Sequence, residues 1–232
     1  MGRERIVVFT GAGVSAESGL RTFRDSGGLW EQYRVEDVAT PEAWRRDPAL
    51  VLRFYDERRA QVLAAQPNAA HVAIARLQER FNVMVITQNI DDLHERAGSK
   101  QVLHLHGEIL LARSTADPAL VTRINGPSLR LGDRCALGSQ LRPHIVWFGE
   151  AVPMMETATD EMARASRVLV VGTSLNVYPA AGLVHHAPRS APMVLVDPQA
   201  IGLNRAGTRF IQASATEGVP RIAEEWLIEP NA

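Results

Sequence analysis

The sequence predicts an α/β fold, a Rossmann-like parallel sheet with helices on both faces, on three observations. Four short apolar runs recur along the chain: Ile6-Val7-Val8-Phe9, Val83-Met84-Val85-Ile86, Val168-Leu169-Val170-Val171 and Met193-Val194-Leu195-Val196. Each is strand-length and rich in β-branched residues, and a run apolar on both faces suits a strand covered by helices on each side. Helical stretches lie between them. Asn68 can cap a helix through residues 69–77 behind the break at Pro67, and residues 160–164 and 180–186 also read as helical. Finally, a glycine-rich turn, Gly11-Ala12-Gly13-Val14-Ser15-Ala16, follows the first run directly.

Two stretches break the alternation. Residues 26–66 have a helical pattern, with Trp44, Val51, Leu52, Phe54 and Tyr55 as core candidates. Residues 108–141 are rich in Pro and Gly and carry apolar positions without a clean period. Together they predict a small module made of two insertions, 26–66 and 108–141. The large part then comprises 1–25, 67–107 and 142–232 of a single domain.

Composition narrows the function classes. With 232 residues and a net charge of −1, the chain can bury a core unaided, and it has no basic stripe to neutralise phosphates. Nucleic acid is therefore not an expected partner. The single cysteine excludes an internal disulfide and suits a reducing compartment. With no apolar stretch of leader or membrane-spanning length, we expect a soluble, cytoplasmic protein, and a monomer.

The turn at 11–16 fits G-x-G-x-x-G/A, in which small residues let backbone N–H groups approach a pyrophosphate. A plain strand-to-helix turn would favour glycine as well. No acidic residue is clearly placed about twenty positions further on, which argues against an ordinary dehydrogenase. The run continues as Glu17-Ser18-Gly19-Leu20-Arg21-Thr22-Phe23-Arg24. Downstream come Thr87-Gln88-Asn89-Ile90-Asp91-Asp92-Leu93-His94, then His104-Leu105-His106-Gly107. Last are residues 142–150, which read RPHIVWFGE, and Gly172-Thr173-Ser174. In order and spacing these five motifs resemble those of the sirtuins, over nearly the whole chain.

The resemblance implies an NAD-dependent protein-lysine deacylase that releases nicotinamide and O-acyl-ADP-ribose, with NAD as co-substrate and acylated-lysine proteins as partners. By resemblance, Gly11, Ala12, Gly13, Ser15, Ala16, Glu17, Thr22, Phe23, Arg24 and Trp30 belong to the cofactor site. Phe23 would cover the anomeric carbon and Arg24 would steady the loop and phosphates. Gln88 and Asn89 would line the ribose, and Ile90 and Asp91 would hold the carboxamide. Gly172, Thr173, Ser174, Asp197, Gln199 and Ala215 complete the set. Capping alone would also favour Asn and Asp at 89–91. His106 is the candidate general base, since imidazole titrates near neutrality. In the mechanism this implies, the acyl oxygen captures the ribose carbon as an alkylimidate and His106 then helps a ribose hydroxyl attack it. His104, on the other side of a strand, is the structural member of the pair.

On the substrate side, the resemblance places Val146, Trp147 and Phe148 along the acyl-lysine tunnel, and Phe148, Gly149 and Glu150 beside substrate backbone. Tyr55 and Arg58 lie three apart on one helix face. An arginine fork with a tyrosine hydroxyl can bind a carboxylate. The pair resembles the signature of class III sirtuins, which favour succinyl-, malonyl- and glutaryl-lysine. It implies a desuccinylase or demalonylase with some deacetylase activity. The alternatives are a generalist deacetylase or lipoamidase, a mono-ADP-ribosyltransferase, or a silent NAD-binding sensor.

The chain departs from the family at the structural zinc. Ser114 and Asp117 stand at the first cysteine pair, with Cys135 and Gly138 at the second, and one thiol cannot build a four-thiolate site. We expect no zinc, and a module packed instead by Leu110, Leu111, Leu120, Val121, Ile124, Leu129, Leu131 and Leu137.

Overall fold

The computed structural model describes residues 3–20, 29–30, 33–199, 203 and 205–229, with 29–30 as backbone. Thr22, Phe23, Arg24 and the Trp30 side chain lie outside the described residues. The chain begins β1 (Arg5–Thr10), α1 (Gly13–Ala16), β2 (Leu29–Trp30), β3 (Tyr33–Arg34), α2 (Val35–Val38), α3 (Pro41–Arg46) and α4 (Pro48–Ala64). It continues as α5 (Ala69–Arg76), β4 (Asn82–Thr87), α6 (Leu93–Arg96), β5 (Val102–His104), β6 (Gly107–Ser114), β7 (Val121–Arg123) and β8 (Leu141–Ile145). The last part holds α7 (Met155–Ala163), β9 (Arg167–Val171), a 3-10 helix (Ala180–His186), β10 (Met193–Asp197), β11 (Thr208–Gln212) and α8 (Ala215–Ile228).

Six strands form one parallel sheet in the order β11-β10-β9-β1-β4-β5. The order reverses between β1 and β9, and the crevice at such a switch point, beyond the carboxyl ends of the strands, is where open α/β sheets bind ligands. Alternation within β1 covers both faces. Ile6 and Val8 pack with Ile74, Val219, Ile222 and Trp226 of α5 and α8, while Val7 and Phe9 pack with Met162, Leu183 and Val184. The four apolar runs are thus the central strands. Asn68 caps α5 as expected, accepting from Ala70 N at 2.9 Å and His71 N at 3.4 Å. Residues 180–186 wind as a 3-10 helix rather than an α-helix. Among the described residues, no helix is long and apolar enough to cross a membrane.

The second layer differs from expectation in detail. The stretch 26–66 is helical from Val35 onward, but Leu29–Trp30 and Tyr33–Arg34 pair as a short antiparallel ribbon. The antiparallel sheet β7-β6-β8 runs from Gly107 to Ile145, past the expected 108–141 at both ends, and its register shifts between Glu108 and Ala112. That irregularity breaks the strict alternation by which a strand is read from sequence. The packing expectation for this sheet needs correction. Leu110 and Leu129 are buried and Ile124 packs against the core, but Leu120, Val121, Leu131 (55% exposed) and Leu137 (63% exposed) face solvent. The buried residues here are Leu52, Ala112, Leu129 and Leu141, with Trp44 against them.

Polar clamps add to this small core. Arg59, fully buried, donates from Nε to the Ile109 carbonyl at 2.9 Å and from Nη1 to the Pro127 carbonyl at 3.0 Å. Asp56 accepts from Arg59 Nη1 at 2.5 Å and from Leu129 N at 3.0 Å. One turn of α4 thereby fastens both β6 and the segment running through 127–129.

Candidate active site

The carboxyl ends of β1 and β9 meet through their turns. Gly11 N donates to the Val171 carbonyl at 3.0 Å and Gly13 N to the Gly172 carbonyl at 2.9 Å. A Cβ on Gly13 would stand 2.7 Å from Gly172 Cα, and one on Gly172, whose φ is +59°, only 2.4 Å from Val14 N. These glycines are required by backbone-to-backbone approach at the switch point. Ala12 stays exposed beside them and Ala16 half-buried.

Ser15 is a buried hub beneath the turn. Its Oγ donates to Asp91 Oδ2 at 3.1 Å, accepts from Asn89 Nδ2 at 3.1 Å and lies 3.4 Å from His71 Nε2. The turn and residues 88–91 are one polar unit. Burial raises the Asp91 carboxyl above its ordinary pKa, against the hydrogen bonds from Leu93 N and Ser15. Thr10 Oγ1 donates to Thr87 Oγ1 at 2.8 Å, and Thr87 Oγ1 accepts from Asn89 N at 3.0 Å. His94 Nε2 sits 3.1 Å from Thr10 Oγ1, its ring edge-on to His71 at 4.8 Å between centroids. Burial lowers His71 to about 4 and His94 well below the usual imidazole range. Sequence reasoning gave neither histidine a role, and missed Thr10 and Thr87.

His106 follows β5. Its Nδ1 lies 3.0 Å from the Gln88 carbonyl. A carbonyl only accepts, so Nδ1 carries the proton and the neutral ring presents its Nε2 lone pair. Burial lowers its pKa and the Gln88 bond opposes the shift, so the ring is a neutral proton acceptor. Gln88 also donates from Nε2 to Thr173 Oγ1 at 2.9 Å, tying residues 88–91 to the β9 turn, with Ser174 next to it half-buried. Ile90 supplies its carbonyl to Ile109 N at 2.8 Å. His104 is held at both nitrogens, by the Asn89 carbonyl at 2.9 Å and Glu95 Oε1 at 2.7 Å. Burial disfavours its charge, yet these acceptors win and raise its pKa. It is structural.

Other expected cofactor residues lie around the same sheet edge. Glu17 accepts from Thr216 N at 3.0 Å and Thr216 Oγ1 at 2.6 Å, docking the first turn onto α8 one residue past Ala215. Asp197, at the end of β10, is buried and accepts from Gln199 N at 2.9 Å.

The residues expected on the substrate side lie at the end of β8. Val146 N donates to the His106 carbonyl at 2.9 Å, which sets that segment against His106. Trp147 is 2% exposed and points inward, its Nε1 donating to the Tyr55 hydroxyl at 3.0 Å; Phe148 is 49% exposed. The Phe148 and Glu150 N–H groups are engaged by the Ala39 and Trp147 carbonyls, both at 3.0 Å, and among the described residues nothing accepts from the Gly149 N–H. The Glu150 carboxylate meets Arg142 at 2.7 and 3.0 Å and Arg113 at 3.0 Å, so it organises the fold here. Ion pairing holds it below the usual carboxylate range although burial opposes. The Arg142 guanidinium also stacks 3.3 Å from the Trp147 ring centroid. Arg113 and Arg142 were not singled out in the sequence. Tyr55 and Arg58 are both buried on α4.

A model of the Sir2 family matches residues 11–179. The chain belongs to the Sir2 family. An NAD-dependent protein deacylase of Bacteroides thetaiotaomicron is 49% identical over 98% of this chain and 100% of its own length. One from Helicobacter pylori is 51% identical over 85% and 86%. A crystal structure of a Sir2 homologue–NAD complex superposes with a TM-score of 0.86 at 39% identity, covering 96% of this chain and 89% of that one. A mutant Sir2 homologue bound to ADP-ribose gives 0.88 at 37%, over 99% and 96%.

Ser114, Asp117 and Cys135, three of the four positions expected in place of zinc cysteines, form a hydrogen-bonded knuckle. Cys135 Sγ donates to Ser114 Oγ at 3.2 Å, and that oxygen accepts from Ala116 N at 3.1 Å and Asp117 N at 3.2 Å. Asp117 Oδ1 accepts from Ala119 N at 2.9 Å. Structural zinc takes four Cys or His ligands. One thiol, a hydroxyl, a turn-forming carboxylate and a glycine do not fit it.

Proposed function

We propose that this Sir2-family chain is an NAD-dependent protein-lysine deacylase that prefers succinyl- and malonyl-lysine and keeps some deacetylase activity. NAD supplies the ribose carbon that captures the acyl oxygen as nicotinamide departs. Residues 88–91, fixed by Ser15 and Thr87, orient the leaving group, and the closed polar unit beneath the turn excludes water. His106 Nε2 takes the proton of a ribose hydroxyl so that the oxygen can attack the captured acyl carbon, then returns it. The observation that carries this reading is the His106 Nδ1 contact with the Gln88 carbonyl, which aims a lone pair from the chain segment that would hold nicotinamide.

Charge supports the acyl preference. Among the described residues, Arg58 and Arg142 lie near the Tyr55 hydroxyl, and Glu150 joins Arg113 and Arg142 beside Trp147. An arginine fork beside a tyrosine hydroxyl suits a carboxylate-ended acyl group. We further infer a zinc-free, cytoplasmic monomer acting on acylated lysines of proteins, with neither nucleic acid nor membrane as partner.

Mass spectrometry of products from a succinyl-lysine peptide with NAD tests the reading, with His106→Tyr as control. Nicotinamide and O-succinyl-ADP-ribose should accumulate in equal amounts with the wild type alone. Absence of nicotinamide release would refute catalysis, and label left on protein would indicate ADP-ribosyl transfer instead.

A further inference from the structure

The Tyr55 hydroxyl has an unusual accounting. A phenol offers one proton and two lone pairs, whereas an indole N–H only donates. Trp147 Nε1 donates to the Tyr55 oxygen at 3.0 Å, so the hydroxyl proton cannot point at the indole. Among the described residues nothing accepts that proton. Tyr55 is 1% exposed, and a buried donor without an acceptor is costly. Burial drives its pKa well above the ordinary phenol value, outweighing the Trp147 bond and the nearby Arg142 and Arg58, so the proton stays on. Arg142 Nε is likewise buried without an acceptor among the described residues. Two donors thus flank one indole without an acceptor among the described residues.

The indole itself is held tightly. Arg142 stacks over it, and Glu150 grips both nitrogens of that fork while accepting from Trp147 N at 2.8 Å. The Ile145 carbonyl takes a further bond from Arg142 at 2.9 Å. Trp147 follows Val146, which is bonded to the His106 carbonyl, so the hydroxyl is referenced to the base through a short, fixed path.

We propose that Trp147 is a positioning residue for acyl selectivity: its N–H fills one lone pair of the Tyr55 hydroxyl and turns the hydroxyl proton toward the carboxylate of a succinyl or malonyl group, with Arg142 and Glu150 holding the indole. Trp147 thereby acts through Tyr55 rather than as a tunnel wall. This rests on the acyl preference proposed above.

The test is steady-state kinetics on one peptide bearing succinyl- or acetyl-lysine, at saturating NAD, for wild type, Trp147→Phe, Tyr55→Phe and the double variant. A wild type without succinyl preference would overturn the acyl reading and this inference together. Given that preference, Trp147→Phe should lower the succinyl-to-acetyl ratio of kcat/KM about fivefold, the worth of one hydrogen bond, chiefly through KM for the succinyl peptide. In the Tyr55→Phe background the same change should cost nothing more. An unchanged ratio, or equal losses in both backgrounds, would overturn the positioning role while leaving the acyl preference standing. Should Trp147→Phe unfold, β-(3-benzothienyl)alanine at position 147 keeps the ring shape and removes only the N–H, and the same outcomes apply.

Discussion

His106 Nδ1 and the Gln88 carbonyl lie 3.0 Å apart, and this one contact fixes the tautomer of the ring proposed as the base. Because burial also lowers the pKa of the ring, His106 is neutral at pH values where a free imidazole is already half charged. The base works only when unprotonated. The acidic limb of kcat/KM against pH should therefore have its midpoint below 6.5, the ordinary imidazole value. His106→Tyr should abolish turnover without abolishing NAD binding by calorimetry. A limb centred above 7 would contradict the assignment.

The neighbouring pair makes a stability prediction. His71, pushed down to about 4 by burial, and His94, lowered well below the usual imidazole range by burial, stay uncharged in the folded protein while an unfolded chain would protonate them near 6.5. Between those values the unfolded state binds more protons, so stability falls as pH falls through that window. His71 alone should cost about 1.6 kcal/mol between pH 6.5 and 5, the slope approaching roughly 1.4 kcal/mol per pH unit at the lower end. Thermal melts should show the drop. His71→Asn should make it shallower, leaving the His94 share, and an equal slope in that variant would refute the cause.

How much could be read in advance depended on local pattern. The central strands were legible because they are buried on both faces, so every residue in Ile6-Val7-Val8-Phe9 had to be apolar. Edge strands β5 and β11 were not, since β11 buries no residue fully and has two exposed residues in succession, Arg209 and Phe210. The shifted register in β6 hid that strand for a different reason. Within the site, His106 was identified by its motif, but its Gln88 bond joins residues 18 apart and leaves no trace in spacing. The Ser15 hub spans 76 positions to Asp91, and nothing in a G-x-G-x-x-A turn tells whether its serine faces a phosphate or the core. Likewise RPHIVWFGE reads as a strand and a tunnel, not as an arginine stacked on a tryptophan.

The module of β6–β8 should hold without metal. Its fastening is Asp56 with Arg59, whose bonds reach Ile109, Pro127 and Leu129. Removing the carboxylate strands a buried guanidinium and an N–H, so Asp56→Ala should lose about 3 kcal/mol in denaturant titration. A chelator should leave the melting temperature of the wild type where it was. Stoichiometric zinc by elemental analysis, or a chelator-induced fall, would sink the account.

Acyl preference supplies the last test. Arg58 lies on the α4 face of Tyr55, close enough to act on its hydroxyl. A carboxylate bound there would accept charge-assisted hydrogen bonds worth about 1.5–3 kcal/mol, whereas an acetyl methyl would meet only the apolar wall. Arg58→Met keeps the length of the side chain and removes the charge. The succinyl-to-acetyl ratio of kcat/KM should then fall between about tenfold and a hundredfold. Added salt should narrow the ratio little in the wild type, because a buried pair is poorly screened. If the ratio survives the substitution, the carboxylate is recognised elsewhere and the role of the α4 pair is lost.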